Sequence, residues 1–308
     1  MTTTFELSLR GAGGEPVDLF RTINSHGFAE LPPMHLDESH RTLDITIPIR
    51  GARPRRVRIG AGRRGRARID VTGRSPSARH AEALLAAVRH VLRLDADLSG
   101  FYAKTAEDRE LAWVRTGAGR MLRSPTVFED VVKTICTTNC SWALTTKMVT
   151  ALVTELGEAP AGIRGRPLEN AFPTAAAMAA RPERFYRDVV RAGYRAPHFA
   201  KLSRAVASGE LDLERLAHVP RAELPDDEVE RALLELPGVG PYAAAHIMMT
   251  IGRDSRLILD SWSRPKYARL MGKRSVADAT IARRFGRYGD HAGLAFWLFV
   301  TRDWIVEP

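Results

Sequence analysis

Apolar and polar residues alternate in four stretches of the first 80 residues: 4–9, 42–47, 56–59 and 68–71. Successive side chains of a strand point to opposite faces, so the pattern predicts an antiparallel sheet with one face buried. Between the first two strands, residues 16–23 read as a short helix, followed by Gly27-Phe28 and the stiff corner Leu31-Pro32-Pro33. From Ser77 onward apolar positions recur at helical spacing, giving a helix over 81–94 and a second segment to about 115. Ser124-Pro125 marks a helix start, and Phe128, Val131, Val132 and Ile135 form an apolar stripe behind it. That helix ends in Thr137-Thr138-Asn139-Cys140-Ser141, and the next covers 142–156. Residues 157–182 read as a connection with at most one short helix. Further helices are expected at 263–271, 277–288 and 289–305, the last with an apolar face that includes Phe296, Trp297, Phe299 and Trp304. The class is α+β, with an N-terminal antiparallel sheet followed by a mainly helical remainder.

The stretch 233–262 stands out. Leu236-Pro237-Gly238-Val239-Gly240 is a turn signal between two apolar helical segments, and Pro241 suits the first turn of the second. The result is helix, tight hairpin, helix. Its two glycines can bring backbone N–H groups close to a ligand, and the following helix N-terminus adds partial positive charge, so the hairpin suits a phosphate. The plain alternative is an ordinary helix-helix turn. Asp260 follows the apolar run Leu257-Ile258-Leu259 and reads either as a functional carboxylate or as the N-cap of a helix beginning near Ser261.

Charge narrows the choice of partner. The 308 residues carry a net charge of +10, which favours a polyanion because neutralising phosphates releases counterions. Charge alone does not separate DNA from RNA or an acidic membrane. Nine arginines stand between Arg50 and Arg68, interleaved with glycine; a solvated sheet edge and a DNA-backbone contact explain them equally well. No apolar run is long enough to cross a bilayer and the N-terminus lacks the features of a signal peptide, so a cytoplasmic location is expected. Cys136 and Cys140, the only cysteines, have the spacing of one helix face.

On the hairpin and on Asp260, twenty positions after Gly240, the chain resembles the helix-hairpin-helix DNA glycosylases, whose L-P-G-V/I-G turn is followed at that spacing by an essential aspartate. The segment SPTVFEDVVKTICTTNCSWALTTKMV is similar to the opening of the central helical domain in the 8-oxoguanine and alkylpurine members, and Arg191-Ala192-Gly193-Tyr194-Arg195-Ala196 to their G-Y-R-A element. Motifs cover roughly residues 120–275; the flanks match by pattern only. The resemblance implies a sheet domain at 1–80, a flanking helical subdomain at 81–120 and 256–308, and a central subdomain at 121–255 containing the hairpin.

The resemblance also assigns roles. Gly238, Val239 and Gly240 would grip DNA phosphate, and Asp260 would be catalytic. Asn139 would fill the space left by an extruded nucleotide, with Tyr194 and Arg195 on the groove side; the alternatives are a helix-ending asparagine, a core tyrosine and a surface arginine. Tyr242 replaces the lysine that bifunctional relatives place two residues after the second hairpin glycine, so no Schiff base can form there and a monofunctional enzyme follows. Tyr242 also matches an aromatic bordering the base pocket in alkylpurine enzymes. Trp262 stands where 8-oxoguanine enzymes place a histidine, and is counted with the pocket or groove. Leu144 replaces their arginine for the opposite cytosine. An alkylated purine is therefore expected as the lesion, with an 8-oxoguanine-type enzyme or a non-catalytic DNA-binding module as alternatives.

For cofactors, two cysteines cannot supply the four ligands of the iron-sulfur cluster that some relatives carry, so none is expected. A monovalent cation on the main-chain carbonyls of Leu234, Leu236 and Val239 is implied by the resemblance. The expected partner is double-stranded DNA containing a damaged base, bound by a monomer in the cytoplasm at the nucleoid.

Overall fold

The computed structural model describes residues 1–305. The alternating stretches form a five-stranded antiparallel sheet in the order β1-β5-β4-β3-β2, with β1 at Thr2–Ser8, β2 at His35–Asp37, β3 at Thr42–Ile49, β4 at Ala52–Ala61 and β5 at Arg66–Thr72. Ile45 faces Val57, which in turn faces Val71, so the apolar set falls on one face and is fully buried. Strand β2 is not legible in the sequence, because three residues are too few to show a period; pairing with β3 creates it. Helix α1, Leu19–Ile23, begins three residues later than its pattern suggests, where the Asp18 carboxylate accepts the Arg21 N–H at 2.9 Å.

Helix α2, Ala78–Val91, lays Leu84, Val88 and Val91 on the sheet in one core that extends to Leu94. Helix α2 thus shares the core of the sheet: an apolar sheet face needs a cover, and α2 supplies it. The next segment is shorter than expected, with α3 at Ser99–Thr105 and a separate 3-10 turn at Ala112–Thr116.

A second core joins α4 (Val127–Thr137), α5 (Trp142–Leu156), α6 (Ala175–Ala179), α7 (Glu183–Asp188), α8 (Ala196–Ala207), α9 (Glu214–His218), α10 (Asp226–Leu234) and α11 (Pro241–Thr250). The start of α4 lies at Thr126, not at Ser124-Pro125, since the Thr126 hydroxyl accepts the Glu129 N–H at 3.2 Å. Phe28 and Leu31 from the N-terminal unit also enter this core. A third core packs α3 against α12 (Ser263–Leu270), α13 (Asp278–Phe285) and α14 (Ala292–Thr301). The expected last helix, 289–305, begins only at Ala292, because Gly289 sits at a φ of +59° outside the helical region, and it stops at Thr301, leaving Trp304 beyond it and exposed.

Helix α11 is shared. Ala243, Ala244, Ile247 and Met248 pack in the central core, while Ala245 and Met249 pack in the third. A helix apolar on all sides is stable only when covered on all sides, and this one is the seam between two units. Among the described residues, no helix is long and apolar enough to cross a membrane.

Candidate active site

Where the three units meet, a cleft of about 1100 Å³ opens. Its walls are the hairpin, the Asp260 turn, the α4–α5 connection, Tyr194 and, from the N-terminal unit, residues 26–28. Of the residues singled out by sequence, Asp260, Tyr242, Asn139, Tyr194, Trp262, Gly238 and Gly240 line it; Arg195, Leu234, Leu236 and Val239 do not.

The hairpin is a turn closed by the Val239 N–H donating to the Leu236 carbonyl at 3.1 Å. Gly238 sits at a φ of +81°, the left-handed region that side-chain-bearing residues rarely adopt. Val239 and Leu236 are buried, so Val239 can serve the hairpin only through its backbone, while Leu234 is exposed. Gly240 precedes Pro241 at the start of α11, and no side chain caps that N-terminus. The first-turn N–H groups are therefore open to an anion.

Asp260 is held by its own turn. Its Oδ1 accepts the N–H of Trp262 at 2.9 Å and of Ser263 at 2.6 Å. Ser263 Oγ accepts the Asp260 N–H at 2.9 Å and donates to the Ile258 carbonyl at 2.7 Å. The carboxylate thus serves the start of α12, which begins at Ser263 rather than near Ser261, while lining the cleft. One side chain thus both caps the turn and faces the cleft. Beside it, Trp262 packs on Trp297 and Trp304, with ring centroids 5.9 and 5.5 Å apart.

Across the cleft, the Tyr242 hydroxyl meets Thr137 Oγ1 at 3.3 Å, and burial raises its pKa, with the Thr137 hydrogen bond opposing and the Asp260 charge adding to the rise. Asn139 is at a φ of +46°, which turns the chain sharply between α4 and α5. Its Nδ2 donates to the Tyr194 hydroxyl at 3.3 Å, and that hydroxyl also meets Thr138 Oγ1 at 3.2 Å. Asn139 and Tyr194, 55 residues apart in sequence, form one exposed tip.

Arg195 departs from the groove-side expectation. It is buried, its Nε donates to the Ile135 carbonyl at 3.1 Å, and its guanidinium lies 4.5 Å from the Tyr194 ring centre. It braces the end of α4 and the back of Tyr194, adding a charged donor to the Ile135 carbonyl, which also accepts from the N–H and hydroxyl of Thr138, and donating to Thr138 Oγ1 at 3.3 Å. The arginines at 50–68 also stay away from the cleft. Arg58 pairs with Asp44 at 2.7 Å, Arg68 with Asp70 at 2.9 Å and Arg63 with Glu6 at 3.3 Å, while Arg53 donates to the Ala159 carbonyl at 2.8 Å. Cross-strand pairing for Arg58, a pair within one strand for Arg68, and loop anchoring for Arg53 occupy these side chains. Cys140 Sγ donates to the Cys136 carbonyl, and both cysteines are free.

Sequence reasoning missed His26, Phe28, Trp142 and His246, all of which line the cleft. His26 donates from Nε2 to the Leu122 carbonyl at 2.8 Å and accepts the Phe28 N–H on Nδ1 at 3.3 Å. Burial brings its pKa down to about 4 despite the Leu122 hydrogen bond. Trp142 lies over Gly27, where an added Cβ would come 2.7 Å from the indole, and donates to Glu30 at 3.0 Å. Only His246 carried a sequence signal, since it stands one turn after Tyr242 on the helix that follows the hairpin.

No protein-family model matches the chain. A probable N-glycosylase/DNA lyase of Methanothermobacter thermautotrophicus is 24% identical over 245 residues, which span 71% of this chain and 76% of that one. The structure of a 3-methyladenine DNA glycosylase from Archaeoglobus fulgidus superposes with a TM-score of 0.73 at 19% identity, over 98% of this chain and 100% of the other. An 8-oxoguanine glycosylase/lyase from Clostridium acetobutylicum, bound to double-stranded DNA with cytosine opposite 8-oxoguanine, superposes with a TM-score of 0.69 at 21% identity, over 93% and 92%. The chain has the fold of the helix-hairpin-helix DNA glycosylases, including their N-terminal antiparallel sheet.

Proposed function

We propose that the protein is a monofunctional DNA glycosylase that extrudes a damaged purine, most favourably an alkylated one, and hydrolyses its N-glycosidic bond. The observation that carries this reading is the Asp260 carboxylate, anchored by two backbone N–H groups through Oδ1 on the wall of the cleft. Chemistry on a base within a duplex requires a phosphate grip, a plug and a pocket. The open N–H groups of α11, the Asn139–Tyr194 tip and the cleft supply candidates for each. As the glycosidic bond breaks, positive charge develops on the sugar; Asp260 stabilises it and orients the attacking water. The bond to water forms at the sugar carbon, the base leaves with the electrons of the broken glycosidic bond, and the proton released by the water passes to the Asp260 carboxylate.

Three features favour the monofunctional and alkylpurine form. Among the described residues no lysine lines the cleft, and Tyr242 holds the lysine's place. Trp262 and Leu144 replace the side chains that an 8-oxoguanine enzyme would use. The aromatic lining suits an electron-poor alkylated ring. The hairpin carbonyls of Leu234, Leu236 and Val239 would hold a monovalent cation: the Leu236 oxygen accepts one N–H and keeps a second lone pair. The protein would act on damaged duplex DNA as a monomer, in the cytoplasm at the nucleoid.

The test is excision from duplexes containing alkylated, oxidised or deaminated bases. Strand breaks should appear only after hot alkali, and borohydride should trap no covalent complex. A trapped adduct would overturn the monofunctional reading. Binding without excision of any base would favour the non-catalytic module.

A further inference from the structure

His246 is 7% exposed, yet it lines the cleft. Its ring sits among those of Phe28, His26 and Tyr242, with centroids 5.1, 5.6 and 6.1 Å away. Both of its ring nitrogens are buried and, among the described residues, neither has a hydrogen-bond partner. The neighbouring His26 shows the contrast, since both its nitrogens are engaged by backbone groups. An unpartnered buried polar group costs free energy, and native proteins tolerate it mainly where a ligand or ordered molecule completes it.

We propose that His246 is a specificity-determining residue that hydrogen-bonds the edge of the base extruded into the cleft. The proposal rests on the glycosylase reading and deepens it by naming the group that reads the base. The surroundings define the ligand class. Aromatic rings cover the histidine, so the partner is a flat heteroaromatic with a polar edge, which is a nucleobase and not a sugar or phosphate. Burial and the adjacent His26 bring its pKa down to about 3, so the imidazole is neutral and carries one N–H and one lone pair. A neutral ring does not repel the cationic ring of an alkylated purine, and its lone pair can accept from that base's N–H.

Two variants test this. His246→Phe keeps an aromatic ring in the aromatic setting and removes both nitrogens; His246→Gln keeps a donor and an acceptor. Each is compared with wild type in single-turnover excision across the base panel, and in affinity for a duplex carrying a tetrahydrofuran abasic analogue, which has no base to read. His246→Phe should lower excision of the preferred base by about tenfold or more and change the ranking of bases, with affinity for the abasic duplex kept within about twofold. His246→Gln should restore part of the loss. Unchanged excision and ranking in His246→Phe would overturn the proposal, and so would an equal loss of affinity for the abasic duplex, which would mark a structural role. A wild-type protein that excises nothing would instead overturn the glycosylase reading and the proposal with it.

Discussion

Asp260 joins two demands in one residue. Its Oδ1 is committed to the N–H groups of Trp262 and Ser263, and the buried Ser263 hydroxyl ties the same turn to Ile258. The carboxylate is thus preorganised, and in the proposed mechanism no reorganisation would be needed as positive charge develops beside it. Asparagine preserves the Oδ1 acceptor and the shape while removing the charge. Asp260→Asn should therefore keep its melting temperature and its affinity for lesion DNA, while kcat falls by roughly 100-fold or more. Single-turnover excision alongside a binding titration checks this, and near-normal turnover would remove Asp260 from the mechanism. At this scale the sequence was informative for Asp260 and Tyr242, whose spacing from the hairpin is local. It was misleading for Arg195, because nothing in a Tyr-Arg pair says which of the two faces solvent.

Among the elements, the hairpin separates two kinds of glycine. Gly238 needs its positive φ, and a Cβ there would lie 3.0 Å from the His198 ring. Gly240 has a φ of −104°, open to any residue, and a Cβ there meets nothing within 4 Å. Gly238→Ala is expected to destabilise the protein by about 1 kcal/mol or more through backbone strain and crowding. Gly240→Ala should leave stability unchanged and weaken binding to damaged and undamaged duplexes alike, since phosphate contacts carry no base information. Thermal melts and fluorescence anisotropy on both duplexes distinguish the pair. An effect of Gly240→Ala confined to one lesion would contradict the phosphate assignment. Element existence was legible from periodicity throughout this region, while boundaries moved with capping, as at Thr126 and Asp18.

Across the whole molecule, the cleft exists because three separate cores are locked together. Arg93, at the end of the N-terminal unit, makes a bidentate pair with Asp254, at 3.0 and 2.5 Å. The pair is buried, and the Asp254 carbonyl accepts the N–H of Gly293 at 2.8 Å at the start of α14. Burial opposes ionisation of Asp254, but Arg93 and His291 outweigh it and hold the pKa at about 2. Removing one partner strands the other charge away from water. Arg93→Leu should cost about 3–5 kcal/mol, read from the denaturant midpoint, and Arg93→Leu combined with Asp254→Leu should recover much of it. A loss below about 1 kcal/mol would show that the pair does not lock the units.

The sequence by itself determined the sheet, most helices, the hairpin and the Asp260 spacing, because each rests on a period or on residues close together in the chain. Tertiary structure alone decided what surrounds the cleft. His26 and Trp142 reach it from different units, Arg195 turns inward onto the Ile135 carbonyl and the Tyr194 ring, and Arg58 and Arg68 of the sheet pair with Asp44 and Asp70. Such placements depend on which polar groups lose water when the units close on one another. That quantity has no one-dimensional signature, so the aspartate could be found by counting along the chain, while the unpartnered nitrogens of His246 emerged only once its neighbours were in place.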